Sequence, residues 1–208
     1  DGAFGSHFFR LATDTGQVDN GGTIIRTVNG VYELQYSGSV NVKWLGAKGD
    51  GITDDTVAIQ NTIDFIYASG ASLQKGEVEF PNGNFLVSTI NIPYGVTVSG
   101  SGKYTTFIKS ISNQSIINLG VAGSSAKTSI SKLSIVGDSN AAHPLQHGLS
   151  YSGGGNLLES NFEELEILNC GGNGINVVLQ SSKGMYYCKF DSIKCNFNLG
   201  YGKFISGG

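Results

Sequence analysis

Charge, proline and cysteine are all scarce in this sequence. Only 14% of its 208 residues are charged, and 16 acids nearly balance 13 bases for a net charge of -3. That excludes the basic footprint of a nucleic-acid binder or of a protein held on an anionic membrane surface. No uninterrupted run of about 18 apolar residues occurs, so membrane insertion by a spanning helix is not expected. The three cysteines, Cys170, Cys188 and Cys195, are odd in number and confined to the end of the chain. They are no disulfide framework, and free buried thiols fit synthesis in a reducing cytosol. The first ten residues lack the basic stretch and apolar core of a signal peptide. The chain opens on Asp1 rather than Met and stops soon after strand-like residues, so we expect a piece of a longer protein.

Glycine is what the sequence has in excess, 31 residues without a G-X-Y period, joined by many serines and asparagines. Collagen is thereby excluded. A helical bundle is disfavoured, since glycine costs about 1 kcal/mol per helix interior position and asparagine prefers turns. With 39% hydrophobic and 10% aromatic residues, the chain is not a disordered one. A folded, turn-rich, all-β protein remains.

Along the chain, residues 1–20 are polar and poorly periodic. Gly21-Gly22 leads into a hairpin at 23–36 with Asn29-Gly30 as its turn. Val40, Val42 and Trp44 then fall on one face of a short extended run. Residues 46–56 break into a tight glycine-rich loop, with Asp54 as the N-cap and Asp55 in the first turn of a helix over about 55–68. Ile59, Ile63 and Ile66 recur at helical spacing, and Gly70 suits the C-cap. Downstream the period changes to that of strands: 77–80, 85–92, 96–98, 107–108 and 116–119, between Gly, Asn, Ser and Pro corners.

An imperfect repeat follows. Ile130-x-x-Leu133-x-Ile135 recurs as Phe162-x-x-Leu165-x-Ile167 and as Phe190-x-x-Ile193-x-Cys195, at spacings of 32 and 28 residues. A second register supports it, with 147–151 matching 173–177. Each repeat holds two or three short strands that cannot bury an apolar face alone, so stacking them is the solution. The expected fold is a right-handed, single-stranded parallel β-helix. A sandwich of hairpins is the competing architecture. The helix then lies across the first rung and covers its open edge and core.

The stretch Gly46-Ala47-Lys48-Gly49-Asp50-Gly51-Ile52-Thr53-Asp54-Asp55-Thr56-Val57-Ala58-Ile59-Gln60 closely resembles the motif that opens the β-helix of the pectate-lyase-like superfamily. Residues 19–36 resemble the neck of bacteriophage tailspikes and capsule depolymerases. The resemblance implies a neck β module at 1–45 and a β-helix at 46–208. It implies a homotrimeric spike, located in the virion after synthesis in host cytoplasm. Its partners would be other phage tail proteins and a host cell-surface polysaccharide, cleaved by hydrolysis or elimination. A non-enzymatic glycan-binding spike and a secreted polysaccharide hydrolase or lyase of non-viral origin are the alternatives. In the superfamily this motif is structural, which assigns Gly46, Gly49, Asp50, Gly51, Asp54, Asp55, Ile59 and Ile63 to the fold. No cofactor and no metal are expected, because no dense loop of acids supplies the six to eight oxygens calcium takes.

Chemistry requires carboxylates. Glycoside cleavage uses two, about 5–5.5 Å apart for retention or 6.5–9.5 Å for inversion. Glu164 and Glu166 alternate along one strand at roughly 6–7 Å, but the repeat sets Lys132 beside Glu164 and Lys194 beside Glu166, as cross-strand ion pairs. Glu163 and Asp191 stack as like charges, which is unfavourable unless a cation or a substrate uses them, so they are the better catalytic pair. The only arginines, Arg10 and Arg26, precede the solenoid. His143 and His147, on a long excursion at 137–148, are candidate sugar contacts beside Asp138. Tyr151 and Tyr187 are candidate stacking platforms, and the catalytic acids of the parent protein are expected beyond Gly208.

Overall fold

A computed structural model describes residues 8–13, 16, 18–19, 23–69, 75–120 and 126–207. Gly21-Gly22 and Gly70, assigned above to a turn and a helix cap, lie outside the described residues. The fold is an all-β, right-handed parallel β-helix with a helix laid across its first rung.

The register is the one the repeat requires. Strand Ser129–Val136 pairs in parallel with Asn161–Leu168, setting Ile130 against Phe162, Leu133 against Leu165 and Ile135 against Ile167. The next rung continues Phe162 to Phe190 and Ile167 to Cys195. On the opposite sheet Leu149 meets Ile175, and Tyr151 meets Val177. Inward positions fill a continuous core that includes Ile90, Ile117, Ile130, Phe162 and Leu165.

The long strands bend midway. Lys132, Glu164 and Ser192 all have positive φ, at 58°, 51° and 52°, and they follow one another at the repeat spacing. A left-handed residue at this position in three successive rungs folds the main sheet into two faces. The upper face stacks Gly76–Phe80, Val96–Gly100, the first half of Ser129–Val136, the first half of Asn161–Leu168 and Lys189–Asp191. The lower face stacks Asp50–Asp54, Gly83–Leu86, Thr106–Lys109, the second halves of both long strands and Lys194–Asn196.

The helix runs Thr56–Ser69 and buries Ile59, Thr62, Ile63 and Ile66 on the first rung. Asp54 accepts from the Thr56 N–H at 2.9 Å, as a capping side chain does. Asp55, however, is the residue whose carbonyl takes the first helical bond, from Ile59 at 2.9 Å. Its carboxylate turns back to the Lys48 and Gly49 N–H groups. Gly49 sits at φ 65°, where an added Cβ would also strike the Phe85 ring.

Asp50 closes the same loop by accepting from the Thr53 and Ile52 N–H groups and the Thr53 hydroxyl. Those bonds, the Thr53 N–H foremost, lower its pKa from 3.8 to about 2. A depressed carboxylate stabilises the fold fully above its unfolded pKa and loses that contribution as pH falls through the folded one. Asp50→Asn is thus expected to flatten the acid limb of a Tm-against-pH curve between about 3.8 and 2 and to leave neutral-pH slopes unchanged. An identical acid limb in both proteins overturns this.

Several local expectations are corrected. The 23–36 hairpin forms from Ile24–Thr27 and Gly30–Gln35, but Thr27 pairs with Gly30, so Val28-Asn29 makes the turn. Residues Phe8–Leu11 add a third antiparallel strand. The extended run at 40–44 stops after Asn41, whose side chain accepts from Lys43 N–H and starts a 3-10 turn at Val42–Leu45, ended by Gly46 at φ 101°. Residues 85–92 form two strands, Gly83–Leu86 and Ile90–Ile92, because the chain turns a corner at 87–89.

Candidate functional site

The outward side chains of the upper face form two columns. One runs Glu77, Thr97, Ser129, Asn161, Lys189, and the other Glu79, Ser99, Ser131, Glu163, Asp191. Rungs stack about 4.8 Å apart, so each column presents a regular row of polar groups. The middle positions are small hydroxyls, which leaves a trough between charged ends. Its floor opens into a groove of about 440 Å³ lined by Thr97, Ser129, Asn161, Lys127, Glu159 and Tyr187.

One wall of this groove is a third column, at the corner that precedes the face. Lys127, Glu159 and Tyr187 follow at 32 and 28 residues, the repeat spacing again. Lys127 Nζ meets Glu159 Oε2 at 2.6 Å. Glu159 and Tyr187 have φ of 41° and 57°. That left-handed geometry is costly for an aromatic residue, and here it throws the Tyr187 ring into solvent, 89% exposed. A flat apolar ring beside a carboxylate, an ammonium and a row of hydroxyls can stack on a sugar face and bond its hydroxyls.

Glu163 and Asp191 are stacked neighbours. The cation that offsets them is Lys189, whose Nζ lies 2.9 Å from Glu163 and 3.2 Å from Asp191. The Lys189 contact, followed by the Ser192 hydroxyl, holds the Asp191 carboxyl below the ordinary range. This keeps Asp191 ionised at neutral pH and removes it as a proton donor.

The remaining candidates lie elsewhere. Glu164 occupies the left-handed bend, not an alternating strand position, and Glu166 points outward on the lower face. Neither makes an ion pair among the described residues. Glu166 stacks beside Lys194 as expected, but the Lys194 ammonium is taken by the Tyr104 hydroxyl at 3.1 Å. Tyr151 is corrected outright: its ring is fully buried in the core, so it contacts no glycan.

The excursion at 137–148 is held by the buried Gln146, whose amide donates to the carbonyls of Ser110 and Ser112 and accepts from Asp138 N–H. His143 Nδ1 sits 2.9 Å from Asp138 Oδ2, and Asn173 N–H donates to His147 Nδ1 at 2.8 Å. Burial lowers the His147 pKa, which with that bond keeps its ring neutral. Both histidines thus serve the loop's own geometry. Among the described residues, no three His, Cys, Asp or Glu side chains gather as a metal site would require, and no helix is long and apolar enough to cross a membrane.

Sequence reasoning reached Glu163, Asp191 and Tyr187 but missed Lys127, Glu159, Asn161 and Lys189. The signal was present, because Lys127, Glu159 and Tyr187 share the repeat spacing. It is hidden because the repeat shows itself in apolar residues, and a polar corner has no apolar marker.

Residues 39–144 match the family described as rhamnogalacturonase A/epimerase, pectate lyase-like. The chain is 42% identical over 77 residues to mannuronan C5-epimerase AlgE5 of Azotobacter vinelandii, covering 33% of this chain and 7% of that protein. Among solved structures, the AlgE4 A-module of the same organism superposes with a TM-score of 0.56 at 22% identity, over 78% of this chain and 52% of that one. Tailspike protein 2 of bacteriophage CBA120 superposes with a TM-score of 0.63 at 17% identity, over 86% and 29%. At such identities the two structures are likenesses of fold. The expected virion location is therefore corrected, because the sequence likeness is to a bacterial epimerase and the tailspike likeness is architectural.

Proposed function

We propose, starting from a chain that belongs to the rhamnogalacturonase A/epimerase, pectate-lyase-like family, that it is a glycan-contacting segment of a polysaccharide-acting enzyme of non-viral origin. The observation that carries this is the upper-face groove, where the rung register aligns an exposed Tyr187, the Lys127–Glu159 pair and a hydroxyl row with the Glu163–Lys189–Asp191 cluster. The chain spans only 7% of the epimerase it matches, so the reaction of the whole protein is part of the proposal.

In this reading Glu163 and Asp191 face the sugar, with Lys189 between them. Acid-assisted hydrolysis needs one carboxyl of such a pair protonated, and the Lys189 contact that lowers the Asp191 pKa removes that residue as the donor. The reading thus leans to elimination or epimerisation on a uronate polymer. Glu164, Glu166, His143 and His147 act as scaffold, as do the residues of 46–63. The division into a 1–45 module and a 46–208 β-helix belongs to the same proposal. A trimeric phage spike ranks second, since the tailspikes themselves resemble this chain in fold alone.

The test incubates the chain with mannuronan and follows binding, product size and the ultraviolet absorbance of unsaturated uronate. Binding by the wild type is expected, weakened about 10-fold by Tyr187→Ala, as for loss of one stacking anchor. Any turnover is expected to vanish in Glu163→Gln and Asp191→Asn. Binding unchanged by Tyr187→Ala, or turnover surviving both carboxylate changes, overturns the site.

A further inference from the structure

The lower face carries a second, differently charged surface. Phe107, Ser134, Glu166 and Lys194 form one outward column there. Ser134 is nevertheless fully buried, because segment 101–105 folds back over it and the Lys103 carbonyl accepts the Ser134 hydroxyl. That fold-back lays the exposed Tyr104 ring along the column, where its hydroxyl accepts from Lys194 Nζ at 3.1 Å. The ammonium groups of Lys103 and Lys194 stand 5.4 and 5.8 Å from the Tyr104 ring centroid. Lys109 stands 5.4 Å from that of Phe107.

None of these three lysines has a carboxylate within ion-pair distance among the described residues. Lys127 and Lys189 on the upper face, by contrast, are both neutralised. Glu166 is the one acid in the column. In a chain of net charge -3, a local excess of cations around the exposed Tyr104 ring and the partly buried Phe107 ring is a selective feature. Four rungs, three spacings apart end to end, make the strip about 14 Å long, parallel to the solenoid axis.

We propose that this strip binds an anionic, uronate-bearing saccharide chain. Ring faces of successive sugars lie on Tyr104 and Phe107, and their carboxylates meet Lys103, Lys194 and Lys109 as charge-assisted partners. A neutral glycan would leave the ammonium groups unused, and a flexible acidic peptide would leave the rings unused. The inference rests on the polysaccharide reading above and adds a second contact surface for the same acidic class of ligand, separate from the Tyr187 groove.

The experiment titrates the full chain with oligomannuronate, a neutral cello-oligosaccharide and polyglutamate, at low and high salt. Oligomannuronate is expected to bind, with an affinity about 10-fold lower in Lys103→Ala/Lys194→Ala, from two lost screened contacts. Tyr104→Ala is expected to weaken it similarly, and Tyr104→Phe to retain most of it. Neither polyglutamate nor the cello-oligosaccharide is expected to compete. Circular dichroism establishes that each variant is folded. Unchanged oligomannuronate affinity in the double lysine variant overturns the strip alone, while loss in Tyr187→Ala still supports the groove. Equal binding of polyglutamate reduces the strip to bare charge and overturns it. No binding of any saccharide overturns both.

Discussion

Phe162→Ala is expected to lower the unfolding free energy by about 3–5 kcal/mol, the usual cost of emptying a large aromatic site in a core. Phe162 is 1% exposed and occupies a middle rung, with Ile130 on one side and Phe190 on the other. Its ring stacks on that of Phe190 at a centroid distance of 4.9 Å and an interplanar angle of 25°. A globular core can shrink around a lost side chain. Here the backbone ladders on both sides fix the rung spacing, so the cavity persists and its full cost is felt. Urea unfolding of both proteins checks this. Phe190→Ala is the internal comparison, since Phe190 is only partly buried and its loss should cost less. Equal costs at the two positions, or a cost at Phe162 below about 1.5 kcal/mol, would mean that the rungs do close up.

The apolar repeat made this architecture legible. Phe162, Leu165 and Ile167 mark inward positions at strand spacing, and their recurrence gives both the stacking partner and the register. What the repeat cannot express is the conformation of the residue between them. Lys132, Glu164 and Ser192 have nothing chemical in common, yet each takes the left-handed bend. Plain strand alternation therefore misplaces Glu164, whose backbone turns at the bend. Tyr151 failed for a related reason: a short strand between corners gives too few residues to decide which parity points inward. The groove was half legible. Like-charge stacking singled out Glu163 and Asp191, but the balancing Lys189 precedes Asp191 by two residues on the same strand and was invisible to a search across rungs. The cation-rich strip depends on segment 101–105 folding back over Ser134, a contact no local pattern announces.

Asp55→Ala should be the most damaging change outside the apolar core, at about 3 kcal/mol. Asp55 is 1% exposed, and four bonds meet on it. Its carboxylate accepts from Lys48 N–H at 2.6 Å and from Gly49 N–H at 2.9 Å. Its own N–H donates to the Leu86 carbonyl at 2.8 Å, and its carbonyl accepts from Ile59 N–H at 2.9 Å. The substitution keeps the two backbone bonds and removes both carboxylate ones. Hydrogen bonds to a charged group contribute about 1.5–3 kcal/mol each, and an orphaned buried donor adds a desolvation cost of its own. Partial hydration of the loop brings the sum back toward the lower figure. Asp55→Asn separates acceptor geometry from charge: one amide oxygen still receives an N–H, while the amide nitrogen turns a donor toward the other donor. It should recover less than half of the loss. Asp54→Ala, which removes an exposed cap, should cost only about 1 kcal/mol. The order Asp55→Ala, Asp55→Asn, Asp54→Ala in chemical denaturation would place the acidic motif's role in joining loop, helix and first rung. A larger effect from Asp54 than from Asp55 would instead make helix capping the motif's main function.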